Sequence, residues 1–399
     1  MELLIYLILF LLVLIVSSTT NKLLPFLPLP LVQILLGIVI GLFLPNTDFH
    51  LNTELFLALV IGPLLFRESE EADITAILKH WRIIIYLIFP VIFISTLSLG
   101  GLAHLLWFSL PLAACLAVGA ALGPTDLVAF ASLSERFSFP KRVSNILKGE
   151  GLLNDASGLV AFQVALTAWT TGAFSLGQAS SSLIFSILGG FLIGFLTAMT
   201  NRFLHSFLLS VRATDIASEL LLELSLPLVT FFLAEEVHVS GIIAVVVAGI
   251  LKASRFKKIT LLEAQVDTVT ETVWHTVNFM LNGSVFVILG MELEMIAEPI
   301  LTNPIYNPLL LLLSLVALTF VLFAIRFVMI YGYYAYRTRR LKKKLNKYMK
   351  DMLLLTFSGV KGTVSIATIL LIPSNLEQEY PLLLFLVAGV TLVSFLTGL

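Results

Sequence analysis

Apolar segments long enough to cross a bilayer follow one another along almost the whole chain. A helix of about 20 apolar residues spans the hydrocarbon core of a membrane. The chain has 58% hydrophobic and only 12% charged residues, far from the balance of a soluble domain. We therefore predict an all-α polytopic membrane protein. Thirteen candidate spans can be drawn: 3–20, 28–45, 52–66, 82–108, 110–133, 142–170, 178–204, 214–235, 238–254, 268–291, 307–336, 350–373 and 380–399.

The basic residues alternate between the loops that connect these spans. Of the 24 Lys and Arg, 22 lie in odd-numbered loops. Because Lys and Arg are retained on the cytoplasmic side, we place the odd loops and the C-terminus in the cytoplasm and the N-terminus outside. Loop eleven is the most basic, and we interpret it as a determinant of topology; a nucleic-acid or anionic-lipid patch is the less favoured interpretation, and no nucleic-acid partner is expected.

Two carboxylates, Glu150 and Asp155, lie in the sixth span, in the stretch Gly-Glu-Gly-Leu-Leu-Asn-Asp over 149–155. A charge in hydrocarbon costs about 3 kcal/mol, and such residues usually face a bundle interior and mark an ion or proton path. On a helix Glu150 shares a face with Asn154, and Asp155 lies about 100° further round. Asp155 can hold either a proton or a small cation, since each neutralises the same charge. A buried structural acid is the alternative interpretation.

Two other spans are interrupted. Gly123 and Pro124 break the fifth span just before Thr125 and Asp126, and the glycine-flanked Lys361 breaks the twelfth. Carbonyls freed by such breaks coordinate cations in many transporters, and broken backbone is tolerated only where protein or water satisfies it. The breaks lie seven spans apart, which predicts an inverted repeat. A simple proline kink is the alternative interpretation for the fifth span.

Arg326 lies within the eleventh span and cannot escape burial by losing its proton. We therefore expect an acid partner, and Glu150 is the candidate, which would leave Asp155 to titrate; snorkelling to the cytoplasmic surface is the alternative. An intramembrane hydrolase using Ser157 or Ser358 is disfavoured, since neither serine has an evident histidine base in a neighbouring span.

Six motifs together resemble the monovalent cation/proton antiporters of the first cation-proton antiporter family, and its prokaryotic sodium/proton exchangers most of all. The motifs are Gly-Pro-Thr-Asp (123–126), Gly-Glu-Gly-Leu-Leu-Asn-Asp (149–155), His-Val-Ser-Gly-Ile-Ile-Ala-Val-Val-Val-Ala-Gly (238–249), Leu-Asn-Gly-Ser-Val-Phe-Val-Ile-Leu-Gly (281–290), Ile-Arg-Phe (325–327) and Gly-Val-Lys-Gly (359–362).

The resemblance implies a homodimer in membrane lipid, with about thirteen helices per protomer and two crossed discontinuous helices. It implies a core of residues 82–170 and 307–399. It also implies a dimerisation panel made of residues 1–81 (helices 1–3) and of residues 171–306 (a linker and helices 7–10). The core is expected to move against the panel.

The resemblance also implies residue roles. Asp155 would be the ion- and proton-binding carboxylate, and Asp126, Thr125 and Asn154 would complete the cation site. In supporting roles, Glu150 would pair with Arg326, and Lys361 would lie at the helix crossing. The chain departs from the family pattern at three positions: Lys361 replaces a usual arginine, Gly151 a usual serine and Leu127 a usual proline.

These considerations predict a secondary antiporter, not an enzyme, that exchanges sodium or lithium for protons in a prokaryotic cell membrane. No cofactor is expected, because the cation and the proton are the transported species. Electrogenic relatives carry two adjacent acids where this chain has Asn154 and Asp155, so exchange is expected to be electroneutral at 1:1. The alternatives are a potassium/proton antiporter and a membrane pH sensor that does not transport.

Overall fold

The structure is a computed structural model. It describes residues 2–24, 27, 29–43, 53–126, 139–172, 176–211, 215–253, 261–302, 306–340, 342, 345–372 and 379–398. The described residues form helices and connecting turns and contain no strand, so the prediction of an all-α protein is confirmed. Each of the thirteen predicted spans coincides with helix in the described part of the chain.

The α-helices are named here in chain order: α1 (Glu2–Leu23), α2 (Leu29–Phe43), α3 (Thr53–Phe56), α4 (Gly62–Glu70), α5 (Ile74–Tyr86), α6 (Ile92–Leu106), α7 (Leu112–Ala121), α8 (Lys141–Thr171), α9 (Leu176–Ser210), α10 (Ile216–Glu236), α11 (Gly241–Ala253), α12 (Leu261–Thr302), α13 (Pro308–Arg340), α14 (Met349–Phe357), α15 (Thr363–Ile369) and α16 (Tyr380–Gly398). A 3₁₀ turn, Leu345–Tyr348, precedes α14.

Two π-helical turns join neighbouring helices into longer spans. Leu57–Ile61 connects α3 to α4, and Leu87–Val91 connects α5 to α6. Each turn lies at a proline, Pro63 near the start of α4 and Pro90 inside the second turn. Proline has no N–H and its ring crowds the preceding turn, so the helix widens locally instead of ending.

Five helical segments among the described residues are long and apolar enough to cross a membrane, and five shorter apolar helices accompany them. The long segments are Ile74–Leu106, Ile184–Ser210, Ile216–Glu236, Thr268–Ile296 and Pro308–Arg340. Together with the helical content, they make this a polytopic membrane protein.

The helix of the fifth span ends where the break was predicted, and the twelfth span is interrupted as predicted. Helix α7 ends at Ala121, just before Gly123 and Pro124, and the structure describes the chain beyond it as far as Asp126. Residues 358–362 separate α14 from α15 in the same way. Leu127, one of the departures from the family pattern, lies outside the described residues.

The chain divides into two compact units. The first contains Met1–Asp48, Ala76–Phe174 and Gly283–Leu399, and the second contains Phe49–Thr75 and Ser175–Asn282. Both interruptions and all seven candidate site residues belong to the first unit. The predicted core and panel are parts that move against each other, whereas these two units are defined by contacts alone. The division into core and panel therefore stays a prediction.

Within the first unit, α7 packs closely along α6. A side chain at Gly119 would collide with the carbonyl oxygen of Thr96, and one at Gly100 would lie 2.8 Å from the Cα of Leu116. Small residues let helix backbones approach in this way inside membranes, where packing replaces the hydrophobic effect between helices. The close contact fixes the broken end of α7 relative to its neighbour.

Candidate functional site

The two interrupted helices meet at their breaks. The backbone N–H of Asp126, after α7, donates to the carbonyl of Val360, between α14 and α15, at 2.9 Å. The residues at this crossing are buried, with Thr125 3% exposed, Asp126 6% and Lys361 1%. The non-helical N–H of Asp126 therefore has its hydrogen-bond partner in the interrupted segment between α14 and α15. Backbone groups buried in a membrane protein need such partners.

Lys361 ties one broken helix to the other. Its Nζ donates to the carbonyl of Gly123 at 2.7 Å and to that of Pro124 at 2.6 Å. These carbonyls follow the end of α7 at Ala121, and a cation is favoured at a helix C-terminus. The backbone N–H of Lys361 donates to the hydroxyl of Ser394 on α16 at 3.1 Å. The ammonium group thus stabilises the break in α7 from across the crossing.

Glu150 and Arg326 form a buried, two-pronged ion pair. Arg326 Nη1 lies 2.6 Å from Glu150 Oε1, and Arg326 Nη2 lies 2.8 Å from Oε2. The Nε of Arg326 also donates to the carbonyl of Leu355 on α14 at 2.9 Å. The two side chains are 1% and 4% exposed, so each charge is compensated by the other rather than by water.

Gly359 makes room for this pair. A side chain at Gly359 would collide with the guanidinium group of Arg326. The missing side chain at Gly359 therefore lets the Arg326 guanidinium group pass close to the backbone after α14. Arg326 of α13 can then reach Glu150 on α8.

One face of α8 docks onto the break in α7. Asn154 Nδ2 donates to the Thr125 hydroxyl at 2.7 Å, and that hydroxyl donates to Glu150 Oε1 at 3.4 Å. One turn further along, a side chain at Gly158 would collide with the ring of Pro124. Glu150, Asn154 and Gly158 are spaced by four residues, so they line one stripe of the helix. The structure thus brings Glu150, Asn154 and Thr125 together.

An oxygen in this stripe has an unused lone pair. The side-chain carbonyl oxygen of Asn154 is buried and has no hydrogen-bond partner among the described residues, and Asn154 itself is 0% exposed. A buried acceptor left without a donor costs about 1–3 kcal/mol. Such an oxygen can bind a ligand that enters the site. A metal cation is a suitable ligand, because carbonyl oxygens coordinate hard cations.

The two candidate acids are placed differently. The Asp126 carboxylate lies against the backbone of Gly362, where a side chain would collide with it. Asp155 follows Asn154 in α8, but its side chain lies outside the described residues. The role of Asp155 therefore stays a prediction. The structure adds that the residue lies in helix α8, directly after Asn154.

Sequence reasoning missed three partners in this site. Ser394 was not expected to receive the Lys361 N–H, nor the Leu355 carbonyl to receive the Arg326 side chain, because both contacts join distant segments. Gly158 could have been found, since it continues the stripe of Glu150 and Asn154 by one turn. The hydroxyl of Ser157 donates to the Asn154 carbonyl at 2.8 Å, an ordinary bond within the helix.

Two acids of the eighth span lie in the second unit, apart from this crossing. Glu223 pairs with Lys252 at 2.7 Å and accepts a hydrogen bond from the indole N–H of Trp274 at 3.0 Å. Glu219 lies 2.7 Å from His205 Nδ1. Both acids therefore have partners on neighbouring helices of their own unit, as structural acids do.

Comparison with known proteins gives a match over nearly the whole chain. The family model described as "Sodium/hydrogen exchanger, transmembrane" matches residues 7–399. A sodium, potassium, lithium and rubidium/H(+) antiporter of Bacillus pumilus (strain SAFR-032) is 35% identical over 397 residues, which cover 98% of this chain and 59% of that protein. The protein of the same name from Bacillus subtilis (strain 168) is 35% identical over 385 residues, or 94% of this chain and 57% of that protein.

A third relative is covered more fully. The uncharacterized Na(+)/H(+) exchanger YjcE of Escherichia coli (strain K12) is 30% identical over 419 residues, which cover 100% of this chain and 75% of that protein. The chain thus spans less than two thirds of the length of the two Bacillus relatives and three quarters of the Escherichia coli one.

The fold is also that of a solved structure. The sodium proton antiporter MjNhaP1 from Methanocaldococcus jannaschii, determined at pH 8, superimposes with a TM-score of 0.74 at 19% identity, covering 99% of this chain and 96% of that one. At this identity the likeness concerns the fold alone.

Proposed function

Because the chain belongs to the family of transmembrane sodium/hydrogen exchangers, we propose that it is a secondary antiporter that exchanges sodium or lithium for protons. The observation that carries the proposal is the buried crossing of two broken helices. There Asn154, whose side-chain oxygen has no hydrogen-bond partner among the described residues, directly precedes Asp155 in the chain. The Thr125 hydroxyl contacts the side chain of Asn154. Interrupted helices around a buried polar site are typical of secondary transporters.

The ion pair narrows the choice of exchanging group. The charge of Glu150 is compensated by both terminal nitrogens of Arg326, so gaining a proton there would leave a buried arginine without its partner. Lys361 is already held by two carbonyl oxygens. We therefore assign the exchange of proton for cation to Asp155, with Asp126 as the second carboxylate of the cation site.

The remaining ligands are oxygens. Thr125 donates its hydroxyl proton toward Glu150 and accepts from Asn154, which leaves one lone pair of the hydroxyl oxygen. The Asn154 carbonyl oxygen adds a second neutral ligand. Hard cations prefer carboxylate, carbonyl and hydroxyl oxygens, so this set suits a small alkali cation that has lost part of its water.

Coupling follows from competition for one carboxylate. If Asp155 crosses the membrane carrying either a proton or a cation and never bare, the two fluxes are locked together. One titrating carboxylate then exchanges one proton for one cation, and the cycle is electroneutral. Movement of a core of residues 82–170 and 307–399 against a panel of residues 1–81 and 171–306 would supply alternating access.

The assembly and orientation belong to the same proposal. We place the chain as a homodimer in a prokaryotic cell membrane, with the N-terminus outside and the C-terminus in the cytoplasm. The orientation is supported by the 22 bases in odd-numbered loops. Family membership favours transport over the alternative of a membrane pH sensor, since the family is one of transporters.

Potassium/proton exchange is the second candidate. Two relatives carry names that include potassium and rubidium beside sodium and lithium. Gly151 supports a wider choice of ions, since the serine that the family pattern has there would contribute an oxygen. A site with fewer oxygens discriminates less strongly against large cations.

Collapse of a pH gradient tests the proposal. The purified chain is reconstituted in liposomes with an imposed proton gradient, and chloride salts of sodium, lithium, potassium and choline are added in turn. We expect sodium and lithium to dissipate the gradient and choline to leave it intact. Dissipation by potassium alone would favour the second candidate, and no response to any alkali cation would contradict antiport.

A further inference from the structure

We propose that exposed bases at one end of the first unit bind the headgroups of anionic phospholipids. This basic band consists of Lys79, Arg82, Arg337, Arg339, Arg340 and Lys347, all exposed. Lipid recognition goes beyond cation/proton exchange and does not depend on it.

The position of the band along the chain points to the membrane surface. From Arg337 to Lys350 the sequence has eight bases and no acid. These residues close and follow α13, a helix long and apolar enough to cross a membrane. Clusters of 4–8 bases immediately beside a spanning helix are typical of binding to anionic lipid headgroups.

A second helix brings its bases to the same end. The Tyr86 hydroxyl donates to the Met329 carbonyl at 3.2 Å, and after the end of α6 the Trp107 indole N–H donates to the Ser314 hydroxyl at 3.0 Å. The span formed by α5 and α6 therefore runs in the opposite direction to α13. Seven residues before Tyr86 on α5 lies Lys79, and eight residues after Met329 on α13 lies Arg337. The start of α5 and the end of α13 therefore present their bases at one level.

The described end of the polybasic segment, Leu345–Tyr348, is held by packing. Leu345 and Tyr348 pack against a buried cluster that includes Ile84, Ile146 and Tyr334. The guanidinium carbon of Arg142 lies 5.3 Å from the ring centre of Tyr348 and 5.6 Å from that of Tyr334. Leu345 and Tyr348 thus point inward while Lys347 stays exposed, and a preordered site loses less entropy when it binds.

Exposed aromatic rings beside the basic band indicate that it lies at the membrane–water interface. Trp81 is 49% exposed, Tyr331 40% and Tyr336 69%, and the guanidinium carbon of Arg82 lies 5.6 Å from the Trp81 ring centre. Tryptophan and tyrosine collect at the headgroup level of membranes. Bases beside these rings meet lipid phosphates, which favours a lipid over a soluble polyanion as the partner.

An acid close to the basic band, Asp351, does not neutralise it. Asp351 lies in the first turn of α14, 3.8 Å from Arg142. Asp351 is thus paired with Arg142, which packs against Tyr334 and Tyr348 and is not part of the basic band. The bases of the band remain exposed. A phosphate that approaches from the bilayer meets bases on two helices and on the turn before α14.

The test measures binding of labelled phosphatidylglycerol and phosphatidylcholine to the purified chain in neutral detergent micelles. We expect tighter binding of phosphatidylglycerol and a higher unfolding temperature in its presence, because a ligand of the folded state stabilises it. The double variant Arg339→Gln/Arg340→Gln should lower the affinity for phosphatidylglycerol at least about tenfold, and six bases of the loop remain to maintain topology.

Matched controls separate a local site from bulk charge. Lys22→Gln/Arg202→Gln removes the same charge from exposed bases elsewhere and should change the affinity less than about twofold. Arg339→Lys/Arg340→Lys keeps the charge and should keep binding. No preference for phosphatidylglycerol, or equal losses in the two glutamine variants, would overturn the proposal.

Soluble competitors decide the source of the phosphate. Glycerol phosphate and a short single-stranded oligonucleotide should compete only weakly, because neither has acyl chains that seat it beside the aromatic rings. Competition by either as strong as by unlabelled phosphatidylglycerol would overturn the assignment to lipid. No ion gradient enters these measurements, so their failure would leave the antiport proposal standing, and the reverse also holds.

Discussion

Removing one partner of the Glu150–Arg326 pair should destabilise the protein far more than removing both. Both side chains are buried and their charges meet at 2.6 and 2.8 Å, so either one alone would be a buried charge without compensation. Breaking such a pair costs about 3–5 kcal/mol. We therefore expect Glu150→Gln and Arg326→Met each to lower the free energy of unfolding by about that much.

The double variant has a smaller defect. With both charges gone, the principal loss is the Leu355 carbonyl, which no longer receives the N–H of Arg326. A buried acceptor without a donor costs about 1–3 kcal/mol. The two single losses therefore sum to about 6–10 kcal/mol while the double loses about 1–3 kcal/mol, which leaves a coupling of several kcal/mol.

The assay is unfolding of the four proteins in mixed micelles by titration with a denaturing detergent. A cycle at Arg142 and Asp351 serves as the control. Those atoms lie 3.8 Å apart and the side chains are 30% and 21% exposed. There we expect a coupling below about 1 kcal/mol. Losses at Glu150 and Arg326 that add within about 0.5 kcal/mol would refute the reasoning.

Two further predictions concern the stability of the crossing, and a third concerns the exchange cycle. Gly158→Ala should destabilise by about 1–3 kcal/mol in detergent unfolding, because its side chain would collide with Pro124. Lys361→Met should cost about 1–3 kcal/mol for each of the two carbonyls that lose the ammonium donor. Sodium/proton exchange in liposomes clamped with potassium and valinomycin should proceed at the same rate at every membrane potential, because one carboxylate exchanges one proton for one cation.

Each of these has its own control or contrary result. Gly101→Ala lies in a helix with nothing within 4 Å of the new side chain, so it should gain about 0.5–1 kcal/mol instead. Lys361→Arg keeps the charge and should retain most of the stability; equal losses in the arginine and methionine variants would mean that the charge at the crossing is unimportant. Faster exchange at one polarity would show that a second charge moves.

Much of the fold was readable from the chain because the membrane limits the possibilities. A spanning segment must satisfy its own backbone, so each apolar run of sufficient length had to become a helix. Pro124 and the glycines around Lys361 marked the breaks, since the same rule makes interruptions rare. The bases confined to alternate loops supported the number of spans.

Other features depend on contacts between distant segments. The bond from the Lys361 N–H to Ser394 joins residues 33 positions apart, and nothing in the neighbourhood of Ser394 indicates a partner. Lys361 and Arg326 each bind backbone carbonyls, which carry no sequence signal. The π turns at Leu57–Ile61 and Leu87–Val91 are also local responses to proline that a hydrophobicity pattern does not resolve.

The pairing of Glu150 with Arg326 was inferred because a buried arginine needs an acid. The same reasoning could not rank the acids by geometry, since Asp126, Glu150 and Asp155 are all candidates on charge alone. Helix periodicity placed Glu150 beside Asn154, and the structure adds that both face Thr125.

The most direct test of the central claim is the exchange activity of Asp155→Asn. The variant should unfold at a temperature near that of the parent, since asparagine has nearly the same size and shape as aspartate. In liposomes with an imposed pH gradient it should show no sodium- or lithium-driven proton flux, because a neutral amide cannot alternate between proton and cation. Substantial sodium-driven flux by the folded variant would contradict the assignment of exchange to Asp155.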